Sequence, residues 1–124
     1  PPPAPDILMN DYARRWYEAN TWRWKARGAA QIRSLFITHL TPHWRDRPVR
    51  TMTDAAALSQ WFLTLASAGL RPTHLKNIRA LMVMLLHAAH VDGLISENPM
   101  SQAVCSRSAL MALARSRTGG RANE

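Results

Sequence analysis

No apolar run in the 124-residue chain approaches the roughly 18 residues needed to cross a bilayer, and no secretory signal peptide is visible. The single cysteine, Cys105, excludes an internal disulfide and says little about compartment. No stretch alternates apolar and polar residues with period two, so β structure is not expected, and there are no internal repeats. Acid is the scarcest chemistry. Asp and Glu total 8 against 16 Lys and Arg, leaving a net charge of +8 and a pI near 11.3. The chain opens PPPAPD with no methionine, as expected of a fragment cut from a longer protein.

What is present is arginine: fourteen of the sixteen bases. Its planar fork suits bidentate contacts to phosphate and guanine. A small basic domain points first to nucleic acid and second to an anionic membrane surface. With 47% hydrophobic residues the chain has enough apolar material for one domain with a modest core.

The best-marked element runs from Leu70 to Pro99. Pro72 suits a first helical position, Gly93 lies just past the last turn, and Pro99 prevents resumption. Between them Leu75, Ile78, Met82, Leu85 and Ala89 recur at helical spacing, with Leu81 and Leu86 widening the stripe. Thr73, Lys76, Asn77 and Ala80 fall opposite. The start of this helix is therefore expected to be exposed and basic, and its last three turns buried nearly all round.

Three further helices precede it. Asp6 is expected to cap the first, which runs to about Asn20 with Met9, Tyr12, Ala13 and Trp16 facing the core. Trp22 and Trp24 alternate with Thr21 and Arg23, so at most one is expected to be fully buried; they could stack on bases, but their expected role is to wedge the two helices together. A second helix spans Lys25 to Leu40, buries Ile32, Leu35, Phe36 and Leu40, and is ended by Pro42. Arg27, Gln31, Ser34 and Thr38 form an acid-free polar row along it. A basic loop, His43 to Met52, follows. Thr53 is expected to cap the third helix, with Asp54 in its first turn and Leu58, Trp61, Phe62 and Leu65 as its stripe. The lead 1–5 is expected to be extended, residues 100–124 a linker or docking tail with a short helix over Ser108 to Arg117, and Thr118 to Glu124 disordered.

The order of features from Asp6 to Pro99 resembles the N-terminal core-binding domain of tyrosine recombinases, the SAM-like domain of phage integrases. The matching positions are Trp16, His39-Leu40 with Pro42, Arg47-Pro48-Val49, Trp61-Phe62, Gly69-Leu70 and Thr73. His87-Ala88, Gly93-Leu94-Ile95 and Asn98-Pro99 complete them. Arg45 stands where the family usually has a turn glycine, and Gly28 where many members have threonine. The resemblance implies an all-α, four-helix orthogonal bundle forming half of a clamp around double-stranded DNA, with the second and fourth helices at the major groove. It also implies a homotetramer on DNA, a monomeric isolated fragment, and a cytoplasmic, nucleoid-associated place in a bacterium or phage-infected cell.

Candidate DNA contacts are Lys25, Arg27, Gln31, Arg33 and Ser34 on the second helix, and Arg71, Thr73, His74, Lys76, Asn77 and Arg79 on the fourth. Arg79 lies nearest the core edge. Arg45, Arg47 and Arg50 are either backbone contacts or solvated. His87 and His90 stand at a metal-compatible spacing, but no further ligands accompany them, and no metal or cofactor is expected. Strand cleavage in the family uses a tyrosine and an arginine–lysine–histidine–arginine set in a separate domain. Here the only tyrosines are Tyr12 and Tyr17, and no His-x-x-Arg occurs, so the chain is expected to bind DNA without cutting it. Two rivals remain: a helix-turn-helix regulator with Pro72 opening the recognition helix, and a helical protein-interaction module.

Overall fold

A computed structural model describes the backbone of residues 6–122 and the side chains of residues 6–115. Among them the chain is all-α: α1 (Met9–Asn20), α2 (Ala26–Leu35), α3 (Thr41–Trp44), α4 (Ala55–Ser67), α5 (Pro72–Val91) and α6 (Arg107–Ala122), with short 3₁₀ turns between. The one extended pairing is an isolated bridge between Leu8 and Pro48. The 1–5 lead lies outside the described residues.

α5 is the axis of the core. Leu75, Ile78, Leu81, Met82, Leu85, Leu86 and Ala89 are all buried, as their spacing predicts. Burying each large aliphatic side chain contributes about 1.5–3 kcal/mol, so this stripe outweighs any local preference nearby. Gly93 adopts φ 77° beyond the last turn, and its N–H and that of Leu94 close back on the carbonyls of His90 and Ala89. Gly69 ends α4 in the same way with φ 95°, its N–H on Ala66 and that of Leu70 on Leu65. Only glycine takes such positive φ without strain.

Both caps assigned from local sequence shift. Asp6 does not cap α1: its carboxylate is held by the Arg50 guanidinium at 2.7 and 3.2 Å, and Leu8 occupies the cap position. The first N–H groups of α1 are satisfied instead by the carbonyls of Arg47 and Arg45. For α4 the capping side chain is Asp54, which accepts from the Ala57 N–H at 3.1 Å, rather than Thr53.

Pro42 does not end the second helix. The chain passes from α2 through a π-helical turn, Phe36–Leu40, directly into α3. Proline removes an N–H and crowds the carbonyl four residues earlier. Widening the turn, with the Thr41 N–H bonding five residues back to Phe36, accommodates both effects. What is gained is continuity of burial: Leu35, Phe36, Leu40 and Trp44 all enter the core, Trp44 edge-on to Trp61.

Of the two readings of the segment after Pro99, linker or docking tail, the described residues show it docked on the core. Met100, Cys105, Leu110 and Ala114 are buried, and α6 packs on α4 and α5. Ser106 Oγ accepts from the Ala109 N–H at the start of α6, while Leu113 is only partly buried. The helix continues to Ala122, through most of the stretch expected to be disordered. Residues 123–124 and the side chains from Ser116 onward lie outside the described set.

The far end of α5 departs from expectation as well. Met84 and Val91 are 38% and 68% exposed, and His87 and His90 are exposed too. With Tyr12, Trp16 and Ala19 of α1, Met84, His87 and Val91 line an open groove of about 920 Å³.

Candidate nucleic-acid interface

The described acids are Asp6, Asp11, Glu18, Asp46, Asp54, Asp92 and Glu97, which leaves residues 19–45 and 55–91 with none. Those two stretches contain the whole of α2 and the whole of α5. The acids gather elsewhere. Tyr12 of α1 donates to Asp92 at the C-terminal end of α5, at 2.8 Å. The N-terminal end of α5 lies 20 residues away, roughly 30 Å at 1.5 Å per residue.

Every candidate on α2 and its approach is exposed: Lys25, Arg27, Gln31, Arg33 and Ser34. So are Arg71, Thr73, His74, Lys76 and Asn77 at the start of α5. The turn that follows α2 meets the start of α5. His39, one residue past the end of the α2 polar row, packs edge-on to His74 in the first turn of α5, with ring centroids 5.2 Å apart. The π turn carries His39, so its widened geometry also sets where the end of the second helix meets the start of α5.

None of Lys25, Arg27, Arg33, Arg71 and Lys76 makes an ion pair or side-chain hydrogen bond with another described residue. The ion pairs present, Arg14–Asp11, Arg45–Asp46 and Arg50–Asp6, all lie off this surface. The five cations are thus uncompensated and solvated. Arg71 caps α5 without a side-chain bond, so the first-turn amides also point outward as donors with a favourable dipole. Partial burial, with His74 beside it, lowers the His39 imidazole from its ordinary value. The surface therefore carries its positive charge on arginine and lysine at neutral pH.

Arg79 is the exception among the candidates. It is half-buried and its Nε donates to the Cys105 carbonyl at 2.9 Å, tying the segment before α6 to α5. The basic loop is also committed internally. Arg47 donates to Thr51 and lies over the Trp44 ring, and the Arg50 guanidinium holds Asp6 below the usual carboxylate range.

The two tryptophans divide. Trp24 packs on α1, 5.6 Å from Trp16 and 5.9 Å from Tyr17. Trp22 packs against nothing and is 81% exposed. Neither is fully buried, in keeping with the expectation of at most one, and no local signal said which would face out.

Both tyrosine hydroxyls are engaged. Burial, together with the adjacent Asp92 carboxylate, raises the Tyr12 phenol well above its ordinary value, and Tyr17 donates to the Ala29 carbonyl at 2.9 Å. Among the described residues no group of three or more His, Cys, Asp or Glu is placed to hold a metal ion, and no helix is long and apolar enough to cross a membrane. His90 instead bonds the Ile95 carbonyl. Compared with known proteins, the chain matches no family model, no curated sequence and no solved structure.

Proposed function

We propose that the chain is a DNA-binding module that grips duplex DNA along the exposed faces of α2 and α5. The observation that carries this is the pairing of charge with geometry: five uncompensated cations on or at the start of α2 and α5, with the turn after α2 meeting the first turn of α5 at His39 and His74. Arg27, Arg33, Lys25, Arg71 and Lys76 neutralise phosphates, and the free amides of α5 add a further phosphate site. Gln31, Ser34, Thr73 and Asn77 stand among them with the donors and acceptors needed to read base edges.

The resemblance to the core-binding domain of tyrosine recombinases makes the parent a site-specific recombinase or integrase, in which this module clamps and positions the core site. The arrangement of helices is then the SAM-like orthogonal bundle, and strand exchange proceeds in a tetramer through a separate catalytic domain. With Tyr12 and Tyr17 both committed to hydrogen bonds, this chain binds without cutting.

The test separates location from bulk charge. Arg71→Glu with Lys76→Glu abolishes duplex binding in an anisotropy titration, whereas Arg14→Glu with Arg15→Glu on α1 leaves it nearly intact despite the same charge change. Equal losses from the two pairs would mean that the chain is merely basic. A helix-turn-helix regulator is the second reading, supported by the tight connection between α4 and α5 through Gly69. A two-fold symmetric footprint would favour it.

A further inference from the structure

Trp22 has the most exposed large apolar side chain among the described residues. A lone exposed hydrophobe is ordinary; its setting is not. The 3₁₀ turn Thr21–Arg23 that presents it is braced on all sides. Thr21 Oγ1 donates to the Glu18 carbonyl, Asn20 Nδ2 to the Trp16 carbonyl, and the Arg23 guanidinium to Asn20 Oδ1, at 3.1, 2.8 and 3.0 Å. The Trp24 N–H closes on Thr21, and the Trp24 ring is packed on Trp16. The indole is therefore held out by a fixed backbone. Lys25 and Arg27 follow three and five residues later, with no acid from residue 19 to residue 45.

A flat aromatic face on a rigid support, beside cations that bind phosphate, is the arrangement that stacks on a nucleobase. In an intact duplex both faces of each base are covered by its neighbours, so the acceptor must be a base that has left the stack. The neighbouring cations Lys25 and Arg27 disfavour a basic protein partner at the same spot. We propose that Trp22 stacks on an unpaired nucleobase of the DNA held along α2 and α5, adding a preference for locally opened duplex. This rests on the DNA-binding function proposed above.

The experiment measures anisotropy at fixed salt with a fully paired duplex and a series carrying one unpaired nucleotide at successive positions. The wild-type chain binds the best interrupted duplex about 5- to 100-fold tighter than the paired one. Trp22→Ala loses that preference while keeping its affinity for paired duplex, and Trp22→Phe retains most of it. Because the side chain is exposed, thermal melts of both variants match the wild type. No preference in the wild type, or the same preference in Trp22→Ala, overturns the proposal while leaving duplex binding standing. Failure to bind the paired duplex at all removes both.

Discussion

The salt dependence of duplex binding can be worked out from the surface itself. Lys25, Arg27, Arg33, Arg71 and Lys76 are the exposed candidates that carry full charge, and Arg79 is excluded because its guanidinium is bound to Cys105. If each of the five neutralises one phosphate, counterion release at about 0.9 per contact gives a log–log slope near −4.5, and raising salt from about 50 to 200 mM weakens binding roughly 500-fold. Lys76→Ala removes one contact, so the slope flattens to about −3.6 and the same salt change costs roughly 150-fold. Because the His39 imidazole is lowered from its ordinary value, working near pH 8 leaves the count to the five cations. The assay is fluorescence anisotropy of a labelled duplex across a salt series. Random and selected sequences should lose affinity alike on Lys76→Ala, because a phosphate carries no sequence. A slope shallower than about −2, or a Lys76→Ala slope equal to that of the wild type, refutes the phosphate count and the site built on it.

Two further predictions concern the fold. His39 and His43 both have imidazoles below the ordinary value of 6.5, through desolvation first and then His74 and Arg47 respectively. The folded state therefore favours their neutral forms; stability is full above that value and falls as pH drops through the lower folded values. Thermal melts should show Tm decreasing from pH 7 to pH 5, with a smaller decrease in His39→Gln His43→Gln; an identical decrease would assign the loss to other groups. Leu110→Ala removes a side chain buried against α4 and α5 and should cost about 2–5 kcal/mol in urea unfolding. An unchanged midpoint would mean that α6 is not docked.

The legible parts of the fold were those decided within one helix. The α5 stripe could be read because seven apolar side chains repeat at helical spacing between a proline start and a glycine stop. The exposed polar rows were the complement of that pattern. What was missed depended on distant partners or on competition between local rules. Asp6 looks like a cap, but its partner Arg50 is 44 residues away. Pro42 looks like a terminator, yet burial of Leu40 and Trp44 on either side of it favours a widened turn over a break. Arg79 could be placed near the core edge from its spacing, but its partner, the Cys105 carbonyl, is 26 residues away. The contact of His39, in the turn after α2, with His74 at the start of α5 is likewise a tertiary fact, though the absence of acid from both helices was visible in the chain.

The central claim is that the exposed faces of α2 and α5 act as one duplex-binding surface. Amide chemical-shift mapping by two-dimensional NMR, with a short duplex titrated in at low salt, reads this directly. Perturbations should concentrate in Lys25 to His39 and Arg71 to Ala80, with α6 and the groove between α1 and the end of α5 nearly silent. Shifts centred on that groove, or spread evenly over every basic residue including Arg14 and Arg107, would contradict it.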